Sequence, residues 1–399
     1  MDGVFNPTQP LASASPMERP ANRQTAWPEF LLALAVTSIA VGIIWDISWH
    51  STIGRDTFWT PAHMAIYFGG ALGGFVGGWL AIKFTFLANP QEKTASVNVF
   101  GARAPLGAWV AIWGAVAMLT SAPFDNWWHN AYGLDVKIIS PPHILLGFGM
   151  FGISVGAMLL AVAKQNRDPA GPGGGMFIYV GGIFLVLGAV LVSEYTYPNV
   201  QHTAAFLKAC ALMFPLRLVT MSRAGRVNWP ATRVALVYLG VECLMIWILP
   251  LFPATPRLAP IFNPVTHMVP PAFPLLLVFP ALGIDLWLRR AGEIISFPKT
   301  FVYAIGLGAI FLALFLAVQW YFAEFLLSRA ADNWFFAGSR FWSYGARMGD
   351  WRRQFWYQTG SGGEADPVTL AALGRSWVFA SGNAWLGLLW GNWMRKVVR

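Results

Sequence analysis

A succession of apolar runs, each near the length of a membrane-crossing helix and separated by short charged segments, is the strongest constraint on this chain. About 20 apolar residues are needed to cross the hydrocarbon layer of a bilayer as a helix. Such runs lie near 28–48, 61–86, 105–122, 142–163, 176–193, 203–221, 231–252, 269–288 and 301–326, with a shorter one near 377–394. They predict an all-α, polytopic transmembrane helix bundle of about ten spans. Composition excludes the alternatives: 56% of residues are apolar and 11% charged, against roughly 25% charged in a soluble domain. A water-soluble fold, a disordered chain and a disulfide scaffold are all incompatible with these values. Cys210 and Cys243, the only cysteines, both fall inside apolar runs. The first 26 residues are polar and rich in Pro and Ser, with no hydrophobic stretch leading to a small-residue cleavage site. No cleavable signal peptide is expected, and the first span serves as the anchor.

The formal charge is +9, but the basic residues come in ones, twos and threes between apolar runs, which is a topology signal and points to no nucleic-acid partner. Under the predicted spans, Arg19, Arg23, Lys93, Arg103, Lys164, Arg167, Arg223, Arg226, Arg289, Arg290, Arg395 and Lys396 fall on one side. The positive-inside rule makes that side the cytoplasm, with both termini there and the chain in the cytoplasmic membrane. Arg55, Lys137 and Arg257 lie opposite, and the segment 327–376 adds several more that blur the contrast. All six histidines, His50, His63, His129, His143, His202 and His267, then fall at or near the outer ends of the spans. The expected organisation is a polar cytoplasmic tail (1–27), a four-helix unit (28–165), further membrane helices (166–326), an outer interfacial segment (327–376) and a weak last span with a basic tail (377–399). The break after the four-helix unit is the Gly/Pro-rich run KQNRDPAGPGGG at 164–175. Glycines at 69, 70, 73, 74, 77 and 78 give the second span a small-residue surface for close helix packing.

Within the four-helix unit one pattern occurs twice. Asp46-Ile-Ser-Trp49-His50 is followed after twelve residues by Thr60-Pro61-Ala62-His63, and Asp125-Asn-Trp-Trp128-His129 after thirteen by Ser140-Pro141-Pro142-His143. Asp and His at i and i+4 share one helix face. The next helix opens with Thr or Ser as N-cap and Pro in its first turn, which puts the second histidine at a helix N-terminus that disfavours the imidazolium. Two neutral imidazoles and a carboxylate suit copper, zinc or iron. For one such motif alone, an interfacial Asp–His pair within an aromatic belt of Trp49, Trp127 and Trp128 accounts for the residues; its repetition favours metal binding. The second hairpin has one more loop residue and a second proline before His143, so its site is expected to be looser in geometry.

At these residues the sequence resembles a known family. DISWHSTIGRDTFWTPAH, Asp46 to His63, is similar to the metal-site segment of the C-type membrane component of the copper membrane monooxygenases, the particulate methane and ammonia monooxygenases. DNWWHNAYGLDVKIISPPH, Asp125 to His143, resembles the second metal segment of the same component, with Asp125 in place of an Asn. The resemblance covers roughly 28–165. It implies copper, with zinc as the alternative, held by Asp46, His50 and His63 and by Asp125, His129 and His143, with Arg55 and Asp56 orienting ligands. It implies a membrane subunit that activates O₂ and hydroxylates methane, a short alkane or ammonia. It further implies partner subunits of the same complex, one with a soluble copper-binding domain, besides membrane lipids.

Other polar residues carry less. His202 and His267 are lone loop histidines, for which hydrogen bonding is the plainer role. Glu242 sits mid-span, where a carboxyl is costly unless protonated or paired; a helix–helix hydrogen bond or a proton path are the readings. Glu242 also motivates the alternative function, a non-catalytic copper- or zinc-binding membrane protein for metal delivery or transport. A haem site would want facing histidines without adjacent carboxylates, which the Asp–His turns oppose. The aromatic and basic run 327–368 reads as an interfacial helix or a docking surface for a partner subunit.

Overall fold

The computed structural model describes residues 27–133, 140–292, 296–357 and 365–399. The polar tail expected at 1–27 lies outside them except for Trp27, as does part of the 327–376 segment. The chain is an all-α polytopic membrane bundle, and among the described residues eight helices are long and apolar enough to cross a membrane. The four-helix unit is made by α1 (Trp27–Thr52), α2 (Pro61–Ile82), α4 (Leu106–Tyr132) and α5 (Pro141–Arg167). Between α2 and α4 lie the short α3 (Pro90–Thr94) and a hairpin of β1 (Val97–Val99) and β2 (Ala102–Ala104), at the end remote from the histidines. The remaining helices are α6 (Gly173–Val190), α7 (Ala204–Ala224), α8 (Pro230–Ile248), α9 (Val278–Arg290), α10 (Phe297–Leu327) and α11 (Leu370–Met394).

Small residues set how closely the helices of the first unit approach. Lipid offers no hydrophobic drive between helices, so contact area and backbone proximity decide. A side chain at Gly69 of α2 would collide with the backbone of Ala35 in α1, and one at Gly77 with that of Ala108 in α4. The expected glycine surface thus serves two neighbours. The tightest pair, α4 and α5, uses a second set that the spacing of the α2 run does not announce: Gly107 meets Gly156 and Gly114 meets Gly149. α6, buried along most of its length, joins this unit to the rest through α1, α5 and α8. α7, α8, α9, α10 and α11 form the other half, with α11 seated between α7 and α10 and Phe206, Phe214, Phe311 and Phe315 fully buried in that half.

Two expectations are corrected here. The run 269–288 is no full span: only Val278–Arg290 is helical, and residues 269–277 descend as irregular, non-helical chain. Pro270, Pro271 and Pro274 cannot donate to a helix ladder. Such backbone is tolerated at membrane depth only where protein satisfies it. The Tyr238 hydroxyl accepts from Leu275 N at 3.1 Å, Gln319 Oε1 from Leu276 N at 2.9 Å, and Thr52 Oγ1 from Val269 N at 2.7 Å. Likewise 327–368 is no interfacial helix; past the end of α10, its described residues form turns and helical pieces of at most four residues. They cap the histidine end of the bundle, with Tyr344 N donating to Ser51 O and Trp356 N to Asn199 O. The short last run is, conversely, a 25-residue helix.

Candidate metal centres

All six histidines lie at one end of the bundle, where α1, α4, α8 and α10 finish and α2, α5, α7 and α11 begin. Lys164, Arg167, Arg223, Arg226, Arg289, Arg290, Arg395 and Lys396 lie at the other.

Site one is built by the α1–α2 hairpin. Asp46 and His50 occupy successive turns at the end of α1, and Gly54, at φ +85°, stops the helix in a left-handed turn. Its missing side chain leaves room for the Tyr344 ring. The turn sends residues 55–60 back across the helix end, held by Trp49 Nε1 donating to Arg55 O at 2.9 Å and Arg257 N donating to Ile53 O at 2.9 Å. Asp56 is thereby brought into the site. His63 Nε2 lies 3.1 Å from Asp46 Oδ1 and 3.4 Å from Asp56 Oδ2. His50 Nε2 lies 3.4 Å from Asp56 Oδ2 and 3.9 Å from Asp46 Oδ2. Asp46, His50 and Asp56 each offer an atom within 4.8 Å of the others, and His63 closes on both carboxylates from α2.

Site two repeats the arrangement on α4 and α5. His129 Nε2 is 3.3 Å from Asp125 Oδ2, and His143 Nε2 is 3.4 Å from Asp125 Oδ1. The ligand atoms of all three residues lie within 4.8 Å of one another, so the added loop residue and second proline have not spread this triad.

The details favour an ion between these groups. His63 Nδ1 donates to Thr57 O at 2.9 Å and His129 Nδ1 to Gly133 O at 3.3 Å. A histidine bonded through Nδ1–H presents the Nε2 lone pair, and Nε2 is the atom that faces the carboxylates at both sites. The buried Oδ1 atoms of Asp46 and Asp125 accept no hydrogen bond of good geometry, although imidazoles approach to 3.1 and 3.4 Å. Buried polar atoms are normally satisfied, and a cation would satisfy both. The His50 imidazole holds the Asp56 carboxyl below the usual carboxylate range despite its partial burial. Capping differs from expectation at one site: Ser140 Oγ accepts from His143 N at 3.4 Å, whereas Thr60 turns its hydroxyl to Thr57 N at 2.8 Å.

The other expected residues fall elsewhere. Arg55 is exposed, and its side chain makes no ion pair or hydrogen bond among the described residues; it serves through its carbonyl. Asp56, expected to orient ligands, faces both imidazoles directly. The repeat carries the signal for it: Asp56 follows Asp46 by ten residues as Asp135 follows Asp125, although Asp135 lies outside the described residues. His202 is clamped between Trp320 and Phe355, ring centroids 3.7 and 3.6 Å away, with Nε2 donating to Trp320 O at 3.1 Å; its burial lowers its pKa. It is a structural residue. His267 is exposed, with Nδ1 3.0 Å from Thr266 Oγ1, and joins no ligand group among the described residues. Glu242 lies within α8, away from both centres. No family model, curated protein or solved structure matches this chain.

Proposed function

We propose that this chain is the membrane subunit of a copper monooxygenase-like complex that hydroxylates a small substrate of the methane, short-alkane or ammonia class. The observation that carries the reading is the twice-built centre at one end of a membrane bundle: Asp125, His129 and His143 converge at one site, and Asp46, His50 and Asp56 at the other, with His63 Nε2 against both of its carboxylates. Asp46, His50, His63 and Asp56 would hold one ion, and Asp125, His129 and His143 the other. Imidazole and carboxylate sets of this kind accept copper, with zinc as the competitor. Bound copper supplies the redox chemistry for O₂ activation, with electrons from an external reductant. The protein's own part is to fix the ligand nitrogens through the Thr57 and Gly133 carbonyls and to wall site one with Phe58 and Tyr67, ring centroids 5.1 Å apart.

The basic residues at the opposite end support placing that end in the cytoplasm and the centres at the outer face of the cytoplasmic membrane. Trp334 and Phe335, 50% and 45% exposed where the cap packs on Trp247 at the end of α8, suit docking of the partner that bears the soluble copper domain. A second reading, metal delivery without catalysis, is favoured by the openness of His50, whose side chain is 49% exposed. Metal analysis of the purified chain tests both. Copper bound by the wild type and diminished in His50→Ala is the expected result; no bound copper removes the first reading, and neither copper nor zinc removes both. An O₂-dependent product from the reconstituted complex separates the first from the second.

A further inference from the structure

Glu242 is used by neither centre. It lies in the half of α8 nearer the histidine end and is 7% exposed. Among the described residues it makes no hydrogen bond or ion pair. It lines a cavity of about 80 Å³ between α1, the end of α6, α8 and the irregular chain 269–275. Ser51, Ser193 and Tyr197 complete the lining toward the histidine end. The cavity is separate from site one: Ser48 and Ser51 face it from α1, on the side of the helix away from Asp46 and His50.

The wall holds neutral hydroxyls and carbonyls and, among the described residues, no charged donor. Pro270, Pro271 and Pro274 have no N–H. Val269 N and Leu275 N are taken by Thr52 and Tyr238, and the hydroxyls of Ser48 and Thr196 are spent on Val269 O and Ser193 O. Among the described residues no Lys, Arg or His lines the space, whereas Tyr197, Tyr238, Phe273 and Phe341 do. A lone carboxyl among neutral polar groups and aromatic residues, with no cation beside it, matches a positively charged ligand that donates hydrogen bonds. Ile44, Ile47 and Val190 on the same wall suit the alkyl group of an organic cation better than the water shell of an inorganic one. We infer that this cavity binds a small organic ammonium ion, of about the size of methylammonium, with the Glu242 carboxylate as its counter-ion.

The full chain in lipid nanodiscs, titrated with methylammonium by calorimetry, is expected to show one saturable site. Glu242→Gln should weaken it by at least about tenfold and Ala272→Phe, which fills the cavity, should abolish it, with the metal content unchanged in both. A readout on the wild type is independent of how the variants fold: methylammonium should protect Glu242 from a hydrophobic carbodiimide, scored by mass spectrometry. Absence of saturable binding to the wild type, undiminished binding by folded Glu242→Gln, equal protection by sodium, or labelling indifferent to methylammonium would each overturn the assignment.

Discussion

The two centres share a hairpin design but differ in what holds them. Site one is braced by the other half of the molecule: the Ser48 hydroxyl donates to Val269 O at 2.6 Å, Arg257 N to Ile53 O, and Tyr344 N to Ser51 O. At the ends of α4 and α5 that form site two, the backbone hydrogen bonds among the described residues stay within the hairpin. Site one has two carboxylates against its imidazoles, and site two has one among the described residues. A repeated motif therefore fixes the ligand types, while the surrounding chain decides how many ligands converge and how firmly they are held. The largest expected consequence concerns Asp56. If it contacts the ion, Asp56→Asn lowers metal affinity at site one by about 10–100-fold and leaves site two unchanged, as competition with a calibrated chelator would measure. Equal loss at both sites would erase the distinction drawn between them.

A smaller effect is expected from the brace. Gly54→Ala puts a side chain at φ +85° and against Tyr344. The left-handed conformation alone costs about 1–2 kcal/mol, and the loop that carries Asp56 should loosen accordingly. Site-one affinity then falls by less than in Asp56→Asn, and amide exchange over residues 53–60 rises. Unchanged exchange in this variant would show that the loop is held without the turn.

Much of this was legible in the sequence, and the misses have physical causes. Apolar run length located the first seven membrane helices, because the bilayer fixes the length a span must have. It failed at 269–277, where the apolar residues carry prolines and the segment descends as irregular chain satisfied by Tyr238, Gln319 and Thr52. Hydropathy counts apolar side chains and is blind to where backbone donors go. The i, i+4 spacing of Asp46–His50 and Asp125–His129 brought those pairs together, since helix geometry is local. Asp56 reads from the sequence as a group that only orients ligands, because its place depends on the Gly54 turn and on Tyr344, almost three hundred residues away. The run 327–368 reads as helix by composition, yet its polar backbone is drawn to Asn199 and Ser51 across the bundle end.

The smallest expected effect separates metal release from the order of site one. Metal held at site one as proposed would need unprotonated imidazole nitrogen, so it should leave as pH falls through the ordinary imidazole range, about 6.5. The carboxyl of Asp56 behaves differently. Its pKa is held below the usual range by His50, so the stabilisation it gives is full above the unfolded carboxyl value of about 3.9 and is lost only as pH falls through the lower folded value. Between the imidazole range and that carboxyl value a protonated His50 faces an ionised Asp56 at 3.4 Å, and this ion pair should keep the loop in place without metal. Amide exchange over residues 53–60 should thus stay nearly constant from about pH 6 to pH 4, after the metal has gone, and rise below that. Asp56→Asn should abolish the plateau. If exchange rises in step with metal release near the imidazole pKa in the wild type, the ion itself holds the loop, and the brace from Arg257 and Tyr344 counts for less than the comparison of the two centres assigns to it.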